Sequence, residues 1–330
     1  MIILFAVALT GLVNLPFLPG IIELIKKEDA NHLFVSMDYT KESRFFARSF
    51  KDKLTKATQD GNVNPGLYDL QLSRPEVLEI MEDQEISDNT RFQNISLFKF
   101  DLITGRNVTA DKEIYVRGSA HIGEKNQLRA LAADQDVYLA QGTKIHRWVD
   151  AENNLYIEQM CHLGMSATAG GKITLTSGCR FKRLSGDPIS TLSPVEGRSP
   201  GRGLAKPILS SSKHRDILSK EESADIIERG GVTIHARTLI RQAVRTYGDL
   251  ILQDQVVIQG NLFAEGDIEI GPGSQIHGNI FSQGKVFLKE HVTVGTPGMV
   301  KSVIGKKGVV LGYGVAIYGY IGTEGTGEVL

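Results

Sequence analysis

Apolar residues recur along this chain in steps of 18 positions, with polar residues alternating between them. The repeated sets include Leu250, Ile268, Val286 and Ile304, then Leu252, Ile270 and Leu288, then Ile258, Ile276 and Val294. Alternation with a period of two residues predicts strands, and similarity at a fixed step predicts stacked repeats. Because 18 residues divide into three equal sides, we predict an all-β fold, a parallel β-helix with three sides per coil.

The same step is present earlier in the chain, where Val137, Leu155 and Ile173 lie 18 apart. We count about nine coils, which at the usual strand spacing make a rod on the order of 40 Å long. The predicted organisation is a membrane anchor (1–26), a helical or irregular cytoplasmic segment (27–95), a first β-helix section (96–185), a flexible insertion (186–229), a second section (230–322) and a tail (323–330). Five glycines sit two residues before a coil begins, and we interpret them as corners that need the conformational freedom of glycine: Gly171, Gly230, Gly248, Gly266 and Gly284.

The first 25 residues are almost wholly apolar and long enough to cross a bilayer as a helix. The residues expected to contact lipid are Ile2, Ile3, Leu4, Phe5, Leu12, Leu15, Phe17, Leu18, Ile21 and Ile22. Lys26 and Lys27 follow directly, so the positive-inside rule predicts a cytoplasmic main body. Pro16 and Pro19 leave a re-entrant anchor open as an alternative to a single span.

Three short helices are predicted outside the repeat. Residues 38–58 form an amphipathic pattern with Phe45, Phe46 and Phe50 on one face. Such a helix either lies on anionic lipid or packs across the end of the rod. Pro75 to Met81 and Glu221 to Glu228 are the other two.

The insertion is rich in Ser, Pro and Gly and carries a cluster of basic side chains, which begins with Arg198, Arg202 and Lys206. Together with Lys26 and Lys27, these are candidates for contact with lipid headgroups or a partner protein. A solvated loop at a coil corner is the simpler interpretation.

The sequence contains no pattern of residues that indicates catalysis. The formal net charge of −1 gives no basic field for nucleic acid. Six histidines fall at positions expected to point outward, without the clustering of a metal site: His121, His146, His162, His235, His277 and His291. Cys161 and Cys179, which are 18 apart, should stack inside the rod as reduced thiols. We therefore predict no enzyme activity, no cofactor and no metal.

Two outward features are candidates for self-assembly. Phe263, Phe281 and Met299 share one outward position on three successive coils, and an exposed apolar stripe usually contacts something. The uncharged last coil carries Tyr313, Tyr318 and Tyr320 and has an edge that another molecule could pair with.

Residues 230–322 resemble the bactofilin family of polymer-forming cytoskeletal proteins. The resemblance is carried by the corners Gly248-Asp-Leu, Gly260-Asn-Leu, Gly266-Asp-Ile and Gly278-Asn-Ile. It implies a right-handed parallel β-helix that polymerises end to end without nucleotide beneath the bacterial inner membrane and recruits envelope or secretion proteins. The extra coils before 185, the insertion and the long segment before the rod depart from that family's pattern.

Three alternatives stay open on the sequence. A membrane-anchored adaptor that does not polymerise fits the same features. A left-handed β-helix acyltransferase also uses three sides per coil, but its usual small residue is replaced here by bulky ones such as Val256 and Val292. A secreted adhesin-like β-helix is the third, and the basic residues after the anchor count against it. Eighteen residues per coil suit either hand.

Overall fold

The chain folds as a parallel β-solenoid of about 12 turns with 18 residues per coil. The computed structural model describes residues 43–59, 66–68, 76–82, 84–192 and 226–330. The prediction of a parallel β-helix with 18 residues per coil is confirmed, and the described chain is mostly β, with one helix. The coil count is higher than predicted because the coils begin near residue 76 and continue to residue 329.

The described chain before the insertion contains one helix and 15 strands, and the strands form section one. The elements are α1 (Phe45–Gln59), β1 (Gly66–Tyr68), β2 (Glu76–Met81), β3 (Glu85–Ile86), β4 (Arg91–Phe92), β5 (Ile95–Phe98), β6 (Leu102–Thr104), β7 (Thr109–Val116), β8 (Ala120–Ile122), β9 (Gln127–Ala133), β10 (Val137–Leu139), β11 (Lys144–Ala151), β12 (Leu155–Ile157), β13 (Ser166–Ala169), β14 (Ile173–Leu175) and β15 (Arg180–Thr191).

The chain after the insertion forms section two, which contains the remaining strands. These are β16 (Ile226–Glu228), β17 (Val232–Ile234), β18 (Leu239–Ile240), β19 (Val244–Thr246), β20 (Leu250–Leu252), β21 (Val257–Ile258), β22 (Leu262–Ala264), β23 (Ile268–Ile270), β24 (Gln275–Ile276), β25 (Ile280–Ser282), β26 (Lys285–Leu288), β27 (Thr293–Val294), β28 (Lys301–Gly305), β29 (Gly308–Leu311) and β30 (Ala316–Val329).

From β2 to β15 and from β16 to β30, strands pair in parallel with the strand one coil away, whereas β1 pairs with β2 in antiparallel fashion. Val137 aligns with Leu155 and then with Ile173, as the 18-residue step predicts. These inward side chains are fully buried and form one continuous apolar core along both sections. Burial of this stack of Val, Ile and Leu side chains is the main force that holds the coils together.

The two sections meet through their last coils. β15 pairs with β30 in antiparallel fashion on all three sides of the rod, for example at Phe181 with Gly327, Leu184 with Ile321, and Ile189 with Ile317. We call this contact the joint. Because the last coils face each other, the two free ends of the rod are both first coils.

The glycines of the Gly-Asp corners are needed for a different reason from the predicted conformational freedom. Asp249 Oδ1 accepts a hydrogen bond from the Asp267 N–H one coil later at 2.8 Å, and Asp267 Oδ1 accepts one from Lys285 N–H at 2.7 Å. A Cβ at Gly266 or Gly284 would collide with the aspartate of the preceding coil. These glycines are therefore required by close approach. None of the five corner glycines has a positive φ.

The 18-residue step fails after Val294. Five extra residues separate that strand from the next, so Val286 aligns with Val309, and Ile304 aligns with Phe281. The prediction that Ile304 continues the Leu250 series is therefore wrong. The extra residues form a turn in which Thr296 bridges Met299.

Several predicted boundaries and helices are also wrong. Residues 76–81 form a strand that pairs with β5, where a helix was predicted. Section one continues through the strand that ends at Thr191, beyond the predicted limit of 185. Residues 226–228 are a strand rather than the end of a helix, and the predicted tail 323–330 belongs largely to β30. The rest of the insertion lies outside the described residues.

The helix α1 packs against the side of section one. Ala47 and Leu54 are buried against an outward cluster that includes Leu97, Ala130 and Trp148. The ring of Phe50 meets Trp148 edge to face at 5.7 Å. The predicted position across the end of the rod is therefore wrong, because Ala130 and Ala132 leave room for α1 on the side of the rod. Contact of the exposed face of α1 with lipid stays a prediction.

Candidate functional site

The two free ends of the rod leave the apolar core partly open. Met81 and Ile86 at one end, and Ile226 and Val232 at the other, face the core but are only partly buried. Their counterparts in the interior of the rod, such as Leu250, are fully buried. At the end that includes Met81, β1 pairs with residues 76–78 of β2, while β3 and β4 each have one strand partner among the described residues. The partly covered core and these strand edges make the two ends candidates for association.

Charge differs between the two ends. The coil of residues 76–92, which we call the acidic end, carries Glu79, Glu82, Glu85 and Asp88 among its described side chains, with Arg91 as its cation. The coil of residues 226–243, which we call the basic end, carries Arg229, Arg237 and Arg241, with Glu228 as its carboxylate.

Partners within the chain compensate part of the charge at the acidic end. Lys99 Nζ lies 2.9 Å from Glu82 Oε1, and this contact lowers the pKa of the Glu82 carboxyl. Arg91 is paired with Asp111 one coil away at 2.9 Å. Glu85 is exposed, and the described residues offer it no ion pair. The excess of negative charge therefore remains at this end.

The last coil of section two pairs with other strands of the same chain on both of its edges. Tyr320, on β30, aligns with Ser185 of section one on one edge and with Ser302 on the other, and Tyr318 lies on the same strand. Tyr313 immediately precedes the strand and meets the ring of His291 at 5.1 Å. The edge that was expected to accept another molecule is thus occupied by residues 180–190 of the same chain.

The predicted apolar stripe on the outside of section two is present, as a ladder of side chains one coil apart, but its members differ from those predicted. Phe263 and Phe281 stack with their ring centroids 5.4 Å apart, and both are half-buried. Arg245 continues the ladder at one end, with its guanidinium 4.8 Å from the Phe263 ring. Ile304 continues it at the other end. The prediction that Met299 is the third member is wrong, since the extra turn moves this exposed side chain out of register.

Phe281→Asp is expected to weaken self-association while leaving the fold intact, because the side chain points outward and is half-exposed. Sedimentation of the full-length chain in detergent measures association, and circular dichroism measures the fold. Phe287→Asp is the matched control, since Phe287 is also outward and half-buried on a neighbouring side. Equal association of wild type and Phe281→Asp would remove this stripe from the assembly surface.

A buried charge network fixes α1 to section one. Asp150, which is 1 % exposed, accepts hydrogen bonds from Arg44 Nε at 2.7 Å, Arg44 Nη2 at 2.8 Å and Thr168 Oγ1 at 2.6 Å. Glu152 also accepts from Arg44, and Lys51 Nζ lies 3.2 Å from Glu152 and 3.1 Å from Asp134. Each buried charge in this network thus has an opposite charge beside it.

The ionisation of this network follows its contacts. Hydrogen bonds to Asp150, opposed by burial, raise the pKa of Arg44 above its usual value. The hydrogen bond from Arg44 lowers the pKa of Glu152 to about 2. Burial and a 2.6 Å hydrogen bond to Asp134 raise the pKa of Tyr115. Arg44 and Glu152 therefore stay charged at neutral pH, and the contacts of Arg44 with Asp150 and Glu152 act as a clamp on the helix.

The histidines and cysteines lie where the sequence predicted. All six outward histidines are exposed or half-exposed, and His121 stacks on Tyr138 at 4.5 Å. Cys161 and Cys179 are buried and reduced, and their thiols donate to the backbone carbonyls of Ala140 and Glu158. Contact with the Cys179 thiol and burial raise the pKa of Cys161. No group of three or more metal-binding side chains occurs in the described part of the chain.

Other predicted contact residues lie outside the described residues. These are the anchor from Ile2 to Ile25, Lys26 and Lys27, and the basic side chains Arg198, Arg202 and Lys206. Within the ranges that the structure describes, no helix is long and apolar enough to cross a bilayer.

The fold defines the chain as a parallel β-solenoid protein. Comparison with protein-family models found no match, and comparisons with curated proteins and with solved structures found none. Membership of the bactofilin family stays a prediction.

Sequence reasoning missed the joint and the Arg44–Asp150 clamp. The joint leaves no repeat, because it pairs residues such as Leu184 and Ile321 in antiparallel register. The clamp had a weak signal, since Ala130 and Ala132 are small residues at outward positions, where polar side chains are usual.

Proposed function

We propose that this chain is a membrane-anchored bacterial scaffold that self-assembles through the ends of its β-solenoid, without nucleotide, and recruits proteins of the envelope or of a secretion apparatus. Its main body would lie on the cytoplasmic face of the inner membrane. The partners of this scaffold are further copies of itself, membrane lipid and those recruited proteins. No catalytic residue, cofactor or nucleic acid is assigned to it.

The observation that carries the proposal is the pair of open rod ends. Stacking on another coil is favoured where inward side chains are partly exposed and strands have a partner on one side only. Among the described residues these strands are β3 and β4 at the acidic end and β16 to β18 at the basic end, whereas β1 already pairs with residues 76–78 of β2. The joint supports this step, because there two coils of the same chain already pair edge to edge on three sides. The apolar segment from Ile2 to Ile25, followed by Lys26 and Lys27, supports the anchor.

An adaptor that does not polymerise is the second candidate, and the joint is the observation that favours it. In a section that polymerised alone, both edges of residues 230–322 would be free, whereas here β30 is paired with β15. Among the residues that the structure describes, section two therefore has one edge without a second strand partner, at β16 to β18.

Electron microscopy of the full-length chain in mild detergent, with no nucleotide added, tests the proposal. We expect filaments or sheets built from rods about 55 Å long, given about 12 turns at ~4.8 Å each. Discrete particles of fixed size would replace the scaffold with the adaptor. Compact trimers would instead revive the acyltransferase alternative.

A further inference from the structure

We propose that copies of this chain stack head to tail, with the acidic end of one copy on the basic end of the next. The inference rests on the proposed self-assembly and specifies its interface. It would make the assembly a polar filament, because a heterologous contact between two different surfaces does not close on itself.

Strand direction allows three kinds of end contact. Both free ends are first coils, and the two sections run in opposite directions along the axis because their last coils pair in antiparallel fashion. Strands would again run antiparallel if the acidic end met the basic end, if two basic ends met, or if two acidic ends met. At the acidic end this pairing would run along β3 and β4, because β1 already pairs with residues 76–78 of β2. Strand direction alone therefore permits all three contacts, since each would pair strands in the antiparallel manner seen at the joint.

Charge selects among these three contacts. Two basic ends would bring Arg229 and Arg237 of one copy against the same residues of another, and two acidic ends would oppose Glu85 and Asp88 in the same way. Like charges placed opposite each other in an interface are strongly unfavourable, whereas opposite charges also steer the encounter. Only the acidic end on the basic end places unlike charges together.

The apolar side chains at the ends supply a second, independent requirement. Met81 and Ile86 at the acidic end, and Ile226 and Val232 at the basic end, pack on the core but are only partly buried by the described residues. Head-to-tail stacking would cover both pairs in one contact and extend the core from copy to copy. An isologous dimer would cover only one pair and leave the other exposed.

Charge reversal at each end tests the contact. The acidic-end variant is Glu82→Lys with Glu85→Lys, and the basic-end variant is Arg229→Glu with Arg237→Glu; Asp88 is kept because its carboxylate accepts the Arg106 N–H at 2.7 Å. Each variant alone is expected to need at least about tenfold more protein than wild type to assemble. A mixture of the two is expected to assemble again as an alternating filament, since each contact then joins unlike charges.

The control variant is Glu265→Lys with Glu290→Lys, which changes the net charge by the same amount as the acidic-end variant, on exposed side chains away from both ends. It should assemble as wild type does. Sedimentation and electron microscopy of the full-length chains in detergent give the readout, and circular dichroism verifies that each variant is folded.

The possible failures are distinguishable. If wild type does not assemble at any concentration, the proposed scaffold function fails, and the inference fails with it. If wild type assembles but only one of the two end variants impairs it, the contact is isologous and the head-to-tail inference is overturned. Assembly that neither variant changes, or that the mixture does not restore, would overturn it as well.

Discussion

Asp150→Ala is expected to release α1 from section one. The carboxylate of Asp150 is almost completely buried and accepts three hydrogen bonds, two of them from Arg44. Its removal leaves the buried Arg44 guanidinium with Glu152 as its remaining anionic partner and removes an opposite charge from Lys51. Breaking one side of a buried ion pair typically costs about 3–5 kcal/mol, which is large relative to the packing of a single 15-residue helix.

Hydrogen exchange of the full-length chain, followed on peptides from residues 45–59, measures this release. We expect these amides to lose most of their protection in Asp150→Ala while the strands of section two keep theirs. Glu152→Ala is the matched control. Its side chain is 46 % exposed, so we expect a loss below about 1 kcal/mol. Unchanged protection of α1 in Asp150→Ala would contradict the clamp.

The sequence predicted the coil architecture because residues that align on neighbouring coils are separated by a constant 18 positions over most of the chain. Each inward residue of the solenoid lies next to the residue 18 positions away, so a buried column such as Leu250, Ile268 and Val286 is visible as a periodic pattern. The same spacing misled where five residues were inserted. Ile304 falls on the step by coincidence and lies on another side of the coil, next to Phe281.

Contacts between distant parts of the chain were not visible in the same way. Arg44 reaches Asp150 across 106 positions, and nothing in either local sequence specifies the other. The joint pairs strands that belong to two repeats of opposite direction, so it has no constant spacing. The candidate site could not be predicted for the same reason. The two first coils form the ends of the rod only because the last coils of the two sections pair at the joint.

Ile189→Ala, a substitution at the joint, is expected to destabilise the folded rod by about 2–5 kcal/mol. Ile189 is fully buried and aligned with Ile173 on one side and with Ile317, across the joint, on the other. Hydrogen-bonded strands on both sides hold the surroundings in place, so the cavity cannot collapse and the full cost of the missing methylene groups should be felt.

Ile226→Ala is the matched control, because it makes the same change at the free basic end. Ile226 is half-buried, and Val244 is the one residue aligned with it in the described part of the chain, so we expect Ile226→Ala to cost clearly less than Ile189→Ala. Urea unfolding of both full-length variants, at a protein concentration too low for assembly, compares the two costs. Equal losses would contradict the antiparallel joint, since Ile189 would then also be an end residue.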